Sequence, residues 1–239
     1  RGELDLDAPV ARYWPEFAQA GKAEIRLHTL LAHSAGLAAI TRRLPNQALY
    51  SQDLMASALA GQAPHWPPGT QHGYHAQTFG FLLAELVRRV SGQSLGQYLR
   101  EQIAGPLSAE AYVGLPEALD ARVAKVTRPL GEQPPADEVD LTAVWRREPS
   151  SLTALAFNNP APQPGAAQTR AYRAAELPSS NGHASALGLA RIYAAASGSA
   201  PREVPGAAKV FGAACAERCA TELAYGDDLV LRVRTRFGP

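Results

Sequence analysis

The sequence predicts a mainly helical body with a small share of strand. Three observations carry this: one uninterrupted apolar stripe at helical spacing over residues 77–90, a set of caps and stops that divides its surroundings into short helices, and very few stretches with strand character.

Taken in order, helical patterns run from about Pro9 to Tyr13, from Leu27 to His33 and from Ser51 to Ala60. The clearest helix extends from about Gln77 to Val90. There Phe79, Leu82, Leu83, Leu86, Val87 and Val90 share one face, Glu85, Arg88 and Arg89 lie off it, and Ser91-Gly92 supplies a left-handed stop. Ser94 with Gln97 forms a capping box that opens a helix through Leu95, Tyr98, Leu99 and Ile103, ending at Gly105-Pro106. Further helices are expected at about Leu141 to Trp145, Ser185 to Ala196 and Ala207 to Leu223. Strand signals are confined to Ala111 to Leu115, Ala124 to Thr127 and Leu229 to Val233. The proline-rich stretches Gly131 to Ala136 and Asn158 to Gly165 read as surface loops. No internal repeat and no interdomain linker divides the chain.

With 239 residues, 46% hydrophobic and 19% charged, the chain can bury one real core, and a net charge of +1 leaves no self-repulsion to favour disorder. The 23 basic and 22 acidic residues are scattered, so the field that recruits nucleic acid or an anionic membrane is missing. No apolar run approaches the roughly 18 residues of a membrane helix, and Arg1-Gly2-Glu3-Leu4-Asp5 resembles no secretion signal. A cytoplasmic location is therefore expected. Cys215 and Cys219, four apart in a predicted helix, share a face as small apolar residues; they cannot staple distant loops, and a metal site would need two more ligands nearby. Alanine makes up roughly a fifth of the chain, about twice the usual share. Lysine is scarce: Lys22, Lys125 and Lys209 are the only candidates for a catalytic ammonium.

Several residues carry possible chemistry. Gly92-Gln93-Ser94-Leu95-Gly96 fits the G-x-S-x-G elbow, but it lies between two helices instead of following a buried strand, and Ser94 is already explained as an N-cap. His72 and His75 flank Gly73 in a turn after Pro67-Pro68-Gly69, with no third metal ligand in view. His33, at a helix end, reads as a residue that hydrogen-bonds locally and packs. His183, in the turn Ser180-Asn181-Gly182-His183, is placed to face a pocket together with Asn181. Tyr74 stands in a rigid loop before the strongest helix. A tyrosine can act as a base near neutral pH only where a cation and oriented dipoles hold its phenolate, and a helix N-terminus supplies part of that.

Three segments in order resemble the serine beta-lactamase, penicillin-binding protein and family VIII esterase group. Gly2-Glu3-Leu4-Asp5-Leu6-Asp7-Ala8-Pro9-Val10 resembles the stretch after the nucleophile helix, Leu30-Leu31-Ala32-His33-Ser34-Ala35-Gly36-Leu37 is similar to the L-L-x-H-x-x-G-L signature, and Pro68-Gly69-Thr70-Gln71-His72-Gly73-Tyr74-His75-Ala76 resembles P-G-x-x-x-x-Y-x-N. Residues 1 to about 107 carry most of the match. The resemblance implies an α/β beta-lactamase-like (DD-peptidase/transpeptidase-like) fold, of which this segment is the mainly helical part. It also implies acyl-enzyme hydrolysis of a small-molecule ester, amide or lactam, without a cofactor or metal and without a nucleic-acid or membrane partner. Tyr74 would be the catalytic proton-transfer residue, with His75, His183 and Asn181 as substrate-binding candidates. Ala76 stands where the pattern has asparagine and cannot donate the amide hydrogen bond of a β-lactam site, which favours an esterase or peptidase-like hydrolase.

The pattern is also incomplete. Gln19, Arg122 and Gly206 stand three residues before the lysines, so the chain holds no S-x-x-K, and no K-T-G or H-x-G follows His183. The expectation is that residues 1–239 form the central part of one such domain, lacking the nucleophile helix and the C-terminal strands, and inactive by themselves. A non-catalytic paralogue that binds a ligand or cell-wall peptide, and a helical interaction module, are the alternatives. Specificity is expected to reside in the loops from about Gly131 to Gly165.

Overall fold

A computed structural model describes residues 2–126, 139–198, 204, 206–212 and 217–238. Its α-helices are α1 (Leu27–Leu31), α2 (Gln52–Gly61), α3 (Thr78–Ser91), α4 (Leu95–Tyr98, continued by a π turn over Leu99–Ala104), α5 (Leu141–Arg147), α6 (Leu152–Asn158), α7 (Arg170–Ala174), α8 (Ala186–Ala196) and α9 (Ala207–Val210). Two small antiparallel ribbons accompany them: β1 (Ala111–Tyr112) on β2 (His183–Ala184), and β3 (Ala224–Asp227) on β4 (Arg234–Phe237).

The main core forms where α2 lies against α3. Met55 and Leu59 meet Phe81, Leu82 and Leu86 there, while Trp14, Phe17, Leu27 and Leu30 close the cluster from the first third of the chain. Gly92 ends α3 in the left-handed conformation at φ 71°, and the Ser94 hydroxyl accepts the Gln97 N–H to start α4, which supports the predicted boundary. Only half of the capping box forms, since the Gln97 side chain turns to Glu101 instead of back to Ser94. Glu85, expected off the apolar stripe, is almost wholly buried. Burial opposes its ionisation, but hydrogen bonds from Arg89 and Arg88 outweigh this and hold its carboxyl below the usual range.

Lys22 is also buried. Its ammonium donates to the carbonyls of Gln19, Ala60 and Gln62 at 2.7, 2.9 and 2.6 Å, so it ties the chain before α1 to the end of α2. Burial lowers its pKa.

Several sequence expectations are corrected. The helix expected from Ala207 to Leu223 is broken: Ala207–Val210 is helical, Phe211 is extended, residues 217–219 are helical again, residues 221–223 are exposed and non-helical, and residues 213–216 lie outside the described residues. Cys219 is helical, as expected, and exposed, and Cys215 lies outside the described residues. Residues 124–126 are not strand and Thr127 is not described; Leu229 to Val233 is the connection between β3 and β4 instead of a strand. Val230 is fully buried beneath this turn, whereas Val233 is exposed. His183 belongs to a strand, not a turn. The stretch Gly131 to Ala136 lies outside the described residues. The Asn158 to Gly165 loop is anchored by buried Asn159, which donates to Ile40 and Arg42 and accepts from Leu44.

Candidate active site

Three stretches of chain converge on Tyr74. The first is the end of α1, where His33 adopts a left-handed backbone at φ 56° and so turns its ring back over the loop 72–76. The His33 carbonyl accepts the Gly73 N–H at 3.2 Å, and its Nδ1 accepts the His75 N–H at 3.0 Å. Gly36 follows, also left-handed at φ 75°; a Cβ there would stand 2.7 Å from the Trp66 carbonyl oxygen and 2.8 Å from Pro64 Cβ. The glycine of L-L-x-H-x-x-G-L is thus required both by its backbone and by the space it leaves.

His75 locks the second stretch. Its Nε2 accepts the Leu37 N–H at 3.0 Å, so Nδ1 carries the proton and donates to the Gly73 carbonyl at 2.7 Å. The ring is fully buried and both nitrogens are engaged. Burial, with His33 beside it, pushes its pKa down to about 3 against the opposing bond to Gly73. His33 is pushed down to about 4, chiefly by burial and then by His72. Both rings are therefore neutral hydrogen-bonding pieces near pH 7. His33 also stacks on Phe79 at 4.3 Å between centroids.

The hairpin β3–β4 is the third stretch. Asp228 at its turn is 2% exposed and accepts four donors: the Tyr74 N–H, the Val230 and Leu231 N–H groups, and the Thr235 hydroxyl. Because Thr235 spends its proton on Asp228, His72 donates to it through Nε2 at 3.0 Å. From β4, Phe237 lies nearly parallel to the Tyr74 ring, with centroids 6.4 Å apart and planes at 5°. Phe157 of α6 flanks the other side at 6.5 Å. Tyr74 is half-buried, its N–H held by Asp228 and its carbonyl by the Ala76 N–H, and its hydroxyl makes no hydrogen bond to any described residue.

The remaining candidates lie elsewhere. Asn181 is buried and fully used: it accepts the Leu177 N–H and donates to the Tyr172 and Ala175 carbonyls. His183 and Asn181 line a cavity of about 510 Å³ with Tyr112, Arg122 and Tyr172, and Tyr74 is not among its walls. The structure thus brings Tyr74 and His75 together and sets Asn181 and His183 apart from them. Ser94 is an N-cap whose hydroxyl donates to Glu176, as its setting between helices predicted. Among the described residues no group of three His, Cys, Asp or Glu side chains is arranged to hold a metal ion, and no described helix is long and apolar enough to cross a membrane.

The family model named Beta-lactamase matches residues 1–235. The chain belongs to the beta-lactamase family. Among its relatives, the Esterase/beta-lactamase LipL of Mycobacterium tuberculosis is 36% identical over 205 residues, 82% of this chain and 45% of LipL. A family VIII carboxylesterase of known structure superposes with a TM-score of 0.84 at 35% identity, covering 99% of this chain and 60% of that one. A penicillin-binding protein homologue from Caulobacter crescentus gives 0.81 at 33% identity, with 99% and 60% coverage. The chain therefore spans about half to three fifths of the length of these three relatives. These likenesses establish the beta-lactamase-like fold that the three motifs implied. Asp228, Thr235 and Phe237 had no sequence signal beyond an acidic pair before an apolar run. His33 was read as bonding locally, yet its bond reaches 42 residues along the chain.

Proposed function

We propose that this chain is the helical part of a beta-lactamase-family serine hydrolase of esterase or peptidase-like type, with Tyr74 as the proton-transfer residue. One observation carries the reading: the loop around Tyr74 is over-determined by His33, His75 and Asp228, while the phenol itself has no hydrogen-bond partner among the described residues. A phenol held so rigidly and yet uncommitted is suited to exchange a proton with a nucleophile brought to it. His75 then acts as a positioning residue, since its buried ring has no capacity left for substrate. Ala76 in place of asparagine favours ester over lactam substrates.

The nucleophile is assigned to sequence outside Arg1–Pro239, because no S-x-x-K occurs within it. Lys22, wrapped by three carbonyls, is not available as its partner. Incubated with nitrocefin and p-nitrophenyl butyrate, the 239-residue chain is expected to give no turnover and no acyl adduct by mass spectrometry. Rapid hydrolysis with a covalent adduct would sink this part of the reading. Expressed with its flanking coding sequence, the protein is expected to hydrolyse p-nitrophenyl butyrate, and Tyr74→Phe to lower kcat about 10²- to 10⁴-fold. Full activity in that variant would remove Tyr74 from the mechanism.

A further inference from the structure

Between α5, α6 and residues 41–43 lies a second unassigned cavity, of about 370 Å³, a size that suits a small organic molecule. Part of its wall is apolar, formed by Pro149, Ala154, Leu155 and the indole of Trp145; the rest includes Arg43 and Arg146, and no acidic residue among those described lines it.

The charges there are unbalanced. Arg122, Arg170 and Arg232 each pair with a carboxylate, whereas Arg43 and Arg146 make neither an ion pair nor a side-chain hydrogen bond with any described residue. The described acids on the same stretch of chain are committed elsewhere. Asp140 caps α5 by accepting the Thr142 and Ala143 N–H groups, and Glu148 pairs with Arg232. Trp145 contributes its ring to the wall; its Nε1 is buried, without an acceptor among the described residues. Donors in excess beside an apolar wall have one chemical complement: an anion attached to an apolar body. Guanidinium groups bind carboxylates through paired N–H donors, and an indole face accepts a flat ring.

We propose that this cavity binds an organic carboxylate with an aromatic or apolar body, its carboxylate toward Arg43 and Arg146 and its body against Trp145. The site does not depend on the assignment of Tyr74, which is absent from its walls. Phe157 stands between the two, 5.2 Å from Trp145 and 6.5 Å from Tyr74 by ring centroids.

The test uses the 239-residue chain with 2-naphthoate as probe, alongside the neutral 2-naphthamide, by calorimetry and by the indole N–H resonances of the three tryptophans. Naphthoate is expected to bind at least about tenfold more tightly than the amide and to shift the Trp145 resonance alone. Arg43→Gln combined with Arg146→Gln is expected to abolish the difference between acid and amide, with an unchanged circular dichroism spectrum because both side chains are exposed. Equal affinity for acid and amide, no binding at millimolar naphthoate, or a shift centred on Trp14 or Trp66 would each overturn the proposal. The comparison of acid with amide on the unaltered chain decides it even if the double variant folds poorly.

Discussion

The Asp228 carboxylate receives the Tyr74 backbone N–H at both of its oxygens, 3.1 and 3.0 Å away, from a hairpin turn 154 positions further along the chain. Asp228→Ala would leave that donor and three others buried without an acceptor. We expect a loss of about 2–5 kcal/mol in urea unfolding, together with broadening of the Tyr74 ring resonances. A loss below about 1 kcal/mol, with the Tyr74 signals unchanged, would show that the carboxylate does not hold the loop.

Acid should weaken the fold through His33 and His75. Both pKa values lie below the ordinary 6.5 in the folded chain, at about 4 and about 3, so the unfolded chain takes up protons first as the pH falls. Their contribution is fully present above pH 6.5 and declines as the pH drops below it. At pH 5 the loss is of order 2 kcal/mol per ring. His33→Asn keeps an acceptor and tolerates the left-handed backbone, and is expected to remove about half of this acid sensitivity. An identical stability profile between pH 7.5 and 5 in parent and variant would contradict it.

Two glycines with the same backbone angle separate strain from collision. Gly36 and Gly165 both have φ 75°, but only at Gly36 would an added Cβ meet neighbouring atoms. Gly165→Ala should cost about 1 kcal/mol, from the backbone alone, and Gly36→Ala about 2–4 kcal/mol or failure to fold. Denaturant midpoints of the two variants measure the difference. Equal costs would mean that the contact with Trp66 and Pro64 is relieved freely.

Lys22→Met should destabilise the chain by about 2–4 kcal/mol, because it strips three carbonyls of their shared donor. Thermal unfolding of the variant tests this. An unchanged midpoint would show that water replaces the ammonium.

What the sequence reveals is what is local. The α3 stripe, its glycine stop and the Ser94 cap depend on residues within four or five positions, and all three are found in place. The tyrosine loop was located by its motif, but the residues that fix it were not, since Asp228 and Phe237 reach it from the far end of the chain. The strand pattern at Leu229 to Val233 misled because burial was mistaken for pairing: Val230 fills a core beneath a turn, while the hydrogen-bonded residues flank it. Asn181 and His75 were singled out as polar residues in turns. Their polar atoms are bonded to the backbone around them, although Asn181 also lines a cavity.

The distance in sequence between Tyr74 and its tether also sets an order of events. The links Asp228–Tyr74 and Thr235–His72 close loops of 154 and 163 residues, whereas the α2–α3 core is made of neighbours in sequence. Contacts that enclose so much chain form late, after local helices have paired. During synthesis the first third can therefore collapse into a stable body while the loop that presents the phenol is still loose. It becomes fixed only when the 224–237 hairpin folds back onto it, so order in the loop reports that two stretches far apart in sequence have met.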